Sequence, residues 1–300
     1  MTEDAEDVVR QQSFETDGPV EIDVSTGPGR IEVRLVDEPG VHVEVRHDPS
    51  GASPFSQGVS SLVSWLGNQF GNQLGDVIPA SVPAEAVRQT RIDLSGGRLV
   101  VRAPKEVQLR NVSVAVSVQA PVGSHVTAKS GSGDVVVSGA VGRLELQTGS
   151  GRISADQAEG SAKIDTGSGV VRLGPMAAGV RAKTGSGDVE ITAIGGVSTV
   201  VTGSGDIWLG AITSDVLART GSGNVTIADA SAGQLELHTG SGAIRVGIHE
   251  GSPAEVDLSS GSGEARSDLD LTVNPPSSAP GLRVRGRTGS GSALVTAAAD

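Results

Sequence analysis

An all-β fold, specifically a parallel β-solenoid, is what this sequence predicts, and three observations predict it. The triplet Gly-Ser-Gly occurs nine times, and its first six copies begin at Gly131, Gly149, Gly167, Gly185, Gly203 and Gly221, each 18 residues after the last. A fixed short period marks a repeat architecture. The residues flanking each triplet alternate apolar and polar, as in Leu144 and Leu146 before Gly149 and Ile153 and Ala155 after Gly151. Alternation with period two places one side chain inward and the next outward, so each unit carries two short strands. Finally, a Thr or Ser precedes the triplets (Ser130, Thr148, Thr166, Thr184, Thr202, Thr220, Thr239), which would stack into a ladder of hydroxyls.

The triplet lies between the two strands of a unit and is a corner. Glycine belongs there because the backbone enters positive φ or because neighbouring coils crowd the turn. Nine residues on, a second small residue recurs (Gly142, Gly160, Ala178, Gly196, Ser214, Ala232, Gly251) and gives a second corner. Two strands and two corners close a coil of about 18 residues. One coil cannot bury its own apolar face, but a stack shares a continuous core.

The chain divides accordingly. Residues 1–50 read as N-terminal strands and irregular first coils, with Gly27-Pro28-Gly29 a degenerate corner. Residues 51–90 read as a helical insertion or cap: Phe55, Val59, Leu62, Val63, Leu66 and Phe70 follow the three-and-four spacing of a short amphipathic helix. Its simplest role is to cover an open solenoid end; the alternative is docking through Trp65 and Phe70 to a partner or a membrane surface, the latter disfavoured by the absence of Lys and Arg from 55–75. Residues 91–300 read as the solenoid. Ile92 to Val101 resembles a further degenerate corner, 107–118 alternate as a strand, 266–281 form a loop in the last coil, and Leu282 to Ala298 close the far end.

Composition narrows the function classes. With no cysteine there is neither a disulfide framework nor a thiolate-ligated metal. A net charge of −12 disfavours nucleic acid and anionic membranes as partners. The start of the chain lacks the basic-then-apolar pattern of a signal peptide, and no apolar run reaches the length of a membrane span. The expectation is a cytoplasmic protein, with the cell envelope as the alternative. Phosphate loops require a helix after the glycines, whereas a strand follows here. No nucleophile elbow occurs, so the expectation is no catalytic residue, no enzyme and no cofactor.

Two sets of residues stand out. Asp188, Asp206 and Asn224 occupy one position of adjacent coils and offer at most one oxygen-lined cation site. Arg152 and Val170 in the same column break any continuous ladder, and a stack of turn-favouring Asp and Asn is the plainer account, so no metal is expected. Trp208 points outward between Glu190 and Thr226, with Val201 and Leu217 outward on the other strand. Exposed Trp anchors protein interfaces, so these residues mark a site for a protein partner or for self-association.

The stretches FETDGPVEIDVSTGPGRIEVR, GGRLVVRAPK at 96–105, APVGSHVTAKSGSGDVVVSG at 120–139 and the serial TGSGDV-type units resemble the actinobacterial branch of the putative-adhesin family, bacterial domains of β-strand repeats. The resemblance spans nearly the whole chain. It implies a β-solenoid without catalytic residues to carry over, and, through some relatives, a link to envelope-stress signalling. The reading is a non-enzymatic scaffold or protein-interaction module; the alternative is a surface adhesin binding glycan or protein.

Overall fold

The computed structural model describes residues 8–48, 81–106, 108–269 and 280–298. The helix expected over 55–74, with Trp65 and Phe70, lies outside them. The first strands are β1 (Val9–Phe14), β2 (Glu21–Ser25), β3 (Ile31–Val36) and β4 (Val41–His47), followed by helix α1 (Ser81–Gln89). Next come β5 (Arg91–Ser95), β6 (Arg98–Arg102), β7 (Val114–Pro121), β8 (His125–Ser130) and β9 (Val135–Val141). The regular region holds β10 (Leu144–Thr148), β11 (Ile153–Ala158), β12 (Ala162–Thr166), β13 (Val171–Met176), β14 (Val180–Thr184) and β15 (Val189–Ile194). It continues through β16 (Ser198–Thr202), β17 (Ile207–Ile212), β18 (Val216–Thr220), β19 (Val225–Ala230), β20 (Gly233–Thr239) and β21 (Ile244–Ile248). The chain finishes with β22 (Ala254–Ser260), β23 (Ala265–Ser267), β24 (Leu282–Thr288) and β25 (Ala293–Ala297).

Among the described residues the strands form two long sheets, one of 13 and one of 12 strands, and successive strands of the regular region alternate between them. Each coil therefore gives one strand to each sheet, and pairing is parallel with an offset of one coil. Val171, Val189, Ile207 and Val225 share one inward row, and Leu173, Ile191, Leu209 and Ile227 the next. Leu146, Ile164 and Ala182 face them from the second sheet. All are buried. Each Val, Leu or Ile so buried contributes about 1.5–3 kcal/mol, and the stack pools them into one core.

The Gly-Ser-Gly corners owe their composition to crowding. None of the triplet glycines lies in the left-handed φ region. Instead, a Cβ on Gly169 would sit 1.8 Å from the carbonyl oxygen of Gly151, and one on Gly223 1.9 Å from that of Gly205. Backbone bonds continue the ladder around the corner, Gly203 N–H to Gly185 O at 2.9 Å and Gly221 N–H to Gly203 O at 3.0 Å. The preceding threonine fixes the turn. Thr202 Oγ1 accepts the Gly205 N–H at 3.1 Å and donates to Gly187 O of the coil before at 3.1 Å, and Thr220 repeats this with Gly223 and Gly205. Thr202→Val keeps the shape but strands two buried backbone groups at about 1–3 kcal/mol each. We expect a loss of roughly 2–4 kcal/mol by urea unfolding, with Thr202→Ser recovering most of it; equal stability of the valine variant would show the ladder to be ornamental.

The ends depart from sequence order. At the N-terminal end β2 lies between β6 and β8, and β3 between β7 and β9. The coil made of β2 and β3 is thus enclosed by one formed later in the chain. Gly27-Pro28-Gly29 is a corner in register with the regular ones, since Gly131 N–H donates to Gly27 O at 2.7 Å. Ile92 to Val101 is not a corner. It is an antiparallel hairpin of β5 on β6, turned by Gly96 and Gly97 at φ 58° and 77°. Two successive positive φ values reverse a chain within the plane of a sheet, whereas a coil corner carries it to the other sheet. The strand expected over 107–118 begins at Val114, and residues 108–111 form a turn that buries Leu109. β1 pairs antiparallel with β4, α1 buries Ala86 and Val87 in the core, and the Arg10 guanidinium donates to the carbonyls of Arg88 and Thr90.

At the other end β24 lies between β20 and β22, and β25 between β21 and β23. Leu282 to Ala297 therefore sit one coil inside rather than closing the stack, and residues 254–267 form the outermost coil. The inward residues explain the order. Leu282, Val284, Ala293 and Val295 are buried on both sides, whereas Ala265 and Ser267 offer little to cover.

Candidate functional site

With the interior filled, the outer faces of the two sheets are what the molecule presents. Trp208, on β17, stands between Glu190 and Thr226 as expected and is 38% exposed. Its ring leans along its own strand toward Gly210, with Cη2 3.2 Å from where a Cβ there would be, and the nearer obstacle to that Cβ is the Thr192 carbonyl oxygen of the coil before at 2.0 Å. Val201 and Leu217 are half-buried on the outer face of the opposite sheet. The structure therefore separates Trp208 from them, but it brings Val201 and Leu217 together as diagonal neighbours, Leu217 being opposite Thr199.

A third apolar residue joins those two. Val197 immediately precedes β16 and is 73% exposed, the most exposed large apolar side chain among the described residues. Its signal was present in the sequence: six residues before a triplet, other coils carry Arg143, Ser161, Asp215 and Gln234. Cations flank the patch. Val201 stands between Lys183 and Arg219, and Arg181 lies opposite Thr199. Burial, reinforced by Arg219 and Arg287 and opposed by Glu236, holds His238 below the ordinary histidine range.

Asp188, Asp206 and Asn224 do fall in one column, and their side-chain oxygens are engaged by the coil above. Asp188 Oδ1 accepts the Asp206 N–H at 2.9 Å, Asp206 Oδ1 the Asn224 N–H at 2.7 Å, and Asn224 Oδ1 the Ala243 N–H at 2.9 Å. Asp134 does the same for Arg152 at 2.8 Å. This column acts as a backbone cap, and among the described residues no group of three or more His, Asp or Glu is arranged to hold a metal ion. No helix of the described residues is long and apolar enough to cross a membrane. A cleft of about 1130 Å³ at the open end is lined by Ile248, Val256, Leu258 and Leu269. On its rim Arg266 pairs with Asp268.

Among solved structures, the chain is similar to a candidate adhesin from Bacteroides fragilis, at 10% identity over 96% of this chain and 97% of that one with a TM-score of 0.41. It is also similar to a candidate lipid-binding protein from Parabacteroides distasonis, at 14% identity over 96% of each chain with a TM-score of 0.47. A candidate adhesin from the same organism gives 10% identity over 97% of this chain and 98% of that one, with a TM-score of 0.34. No curated protein matches in sequence. The model of one family, however, matches residues 81–278, from α1 through the regular coils. On that match the chain belongs to the Toastrack DUF4097 family.

Proposed function

We propose that this protein is a non-enzymatic binding scaffold, and that a protein partner docks on the outer face of the sheet carrying Val197, Val201 and Leu217. The observation that supports this reading is the apolar patch itself. In the regular coils the outward positions of that sheet are mostly charged or polar, whereas Val201 and Leu217 are diagonal neighbours on adjacent strands and the exposed Val197 immediately precedes the first of these strands. A packed two-sheet stack is stiff, so docking on it orders little of the scaffold and costs little conformational entropy.

A photoreactive side chain placed in the living cell at 197 or at 201 is expected to capture one and the same protein. Leu217→Asp should abolish the adduct, and position 245 on the opposite face should give none. Adducts of equal yield at all three positions, or none at 201, would refute the reading. A second reading, a surface adhesin for glycan, draws support from Trp208, whose indole lies along the sheet at Gly210 and can offer a face to a sugar ring. Loss of binding on a glycan array upon Trp208→Ala, with the 201 adduct unaffected, would favour it.

A further inference from the structure

We propose that the partner on this face is an acidic polypeptide segment with apolar side chains interspersed, held by a row of cations that runs along the stack. The proposal rests on the docking face of the preceding subsection and names the chemistry of its occupant. Parallel, in-register stacking sets the residue two before each triplet into a row with a spacing of about 4.8 Å. In this part of the molecule the row reads Lys183, Val201, Arg219, His238, Arg287. The row beside it reads Arg181, Thr199, Leu217, Glu236, Arg285.

Like charges directly opposite one another destabilise a sheet, and elsewhere most cations have a carboxylate beside them, even where, as with Lys163 and Arg181 or Arg91 and Arg102, two cations stand opposite. Lys163 and Lys129 share Glu145, Arg172 pairs with Glu190, and Arg98 and Arg102 flank Asp23. Arg285 is answered by Asp257. The row of Arg219, His238 and Arg287 contains no carboxylate. Among the described residues none of Arg181, Lys183, Arg219 and Arg287 forms an ion pair. Asp165, opposite Lys183, is bonded to Lys163 instead. In a chain of net charge −12 this cationic row is a local arrangement.

His238 lies within that row, held below the ordinary histidine range first by its burial and then by Arg219. It is faced by Arg219 on one neighbouring strand, by Arg287 on the other with Arg285 diagonal to it, and by Glu236 on its own strand. An anion laid along the row relieves the repulsion and lets the imidazole take up a proton. Glycan and nucleic acid fit less well, because both draw on aromatic stacking, and the aliphatic Val197, Val201 and Leu217 interleave these cations instead. Branched aliphatic side chains match the apolar residues of a polypeptide.

The test is fluorescence anisotropy with a labelled synthetic peptide alternating Glu with Leu and Val, its Gln counterpart, heparin and single-stranded DNA. The Glu peptide should bind saturably and release at high salt, where screening shortens to about 3 Å at 1 M. The Gln peptide should not bind. Arg219→Glu with Arg287→Glu should weaken binding about tenfold or more, whereas Arg152→Glu with Arg245→Glu, an equal change of net charge on the opposite face, should leave it unchanged. His238 favours its neutral form in the free protein, so affinity should rise as pH falls from about 7 to about 5.5, and His238→Gln should flatten that rise. Equal loss in both double variants, equal binding of the Gln peptide, preference for heparin or DNA, or no saturable binding by the wild type would each overturn the proposal. If position 201 captures a partner while the Glu peptide fails, the docking face stands and its acidic occupant falls; if neither occurs, both fall.

Discussion

Gly205→Ala is expected to be among the most damaging single substitutions available to this protein, although it adds one methyl group. The new Cβ would lie 2.1 Å from Gly187 O and 2.5 Å from Gly187 C, both backbone atoms of the coil before. Carbon and oxygen tolerate an approach of about 3.3 Å, so the two coils must part by roughly 1 Å at that corner. A shift of that size breaks the Gly203 N–H bond to Gly185 O and pulls both Thr202 bonds out of range. It also opens the packing of Ile207 on Val189. We expect a loss on the order of 4 kcal/mol or more by denaturant unfolding. Ser204→Ala, at the exposed middle of the same triplet, should stay within about 0.5 kcal/mol. If the two variants unfold alike, crowding is not what conserves the corner's shape.

Ending the chain at residue 280 should undo more than the strands it removes. β24 and β25 are bonded on both edges, so their loss leaves β22 and β23 without any partner as well as uncovering β20 and β21. Leu282, Val284 and Val295 leave the core, and Val256 and Leu258 lose the surface they rest on. At about 1.5–3 kcal/mol per large side chain the local deficit is on the order of 5 kcal/mol or more. In hydrogen exchange, the amides of 254–267 should lose their protection together, while those of 153–212 keep theirs, because stability in a stack passes between neighbours. Retained protection at 254–267 would mean that the outer coil can re-dock directly on β20 and β21. The exposed edges should also promote association of the truncated protein.

The regular coils were legible because two independent periods agree. The 18-residue spacing fixes the register, and the alternation of Val189, Glu190 and Ile191 fixes which side chains face inward. The corners were legible in composition, but their cause was not: positive φ and crowding both call for glycine, and separating them requires the distance from Gly151 O to a Cβ on residue 169. Coil order at the ends was hidden for a different reason. Parallel ladders are made by backbone groups, so any coil of similar length can stack on any other, and adjacency in sequence is a poor guide once a loop separates them. The hairpin at Gly96 and Gly97 reads as a corner in sequence because Ser-Gly-Gly and Gly-Ser-Gly differ in backbone angles rather than composition. In the candidate site, Val201 and Leu217 were legible from strand parity. Val197 lies just outside its strand and is recognised only by comparing its column across coils. The cations gain meaning from stacking alone, since Arg287 lies 49 positions beyond His238 in the chain and opposite it in the sheet.

The enclosed first and last coils also dictate how such a molecule can grow. A unit added beyond residue 298 would emerge between two coils whose facing edges β24 and β25 already fill, whereas before residue 21 the chain has already reached the outer edge of its sheet as β1. Between Gly149 and Gly240 coil order and chain order coincide. A tandem duplication of one unit there needs no new junction, repeats every hydroxyl and glycine contact, and raises the stack by about 4.8 Å. Height is therefore free to vary in the middle while both ends are inherited whole, and each added coil would lengthen the two outer faces by one more row.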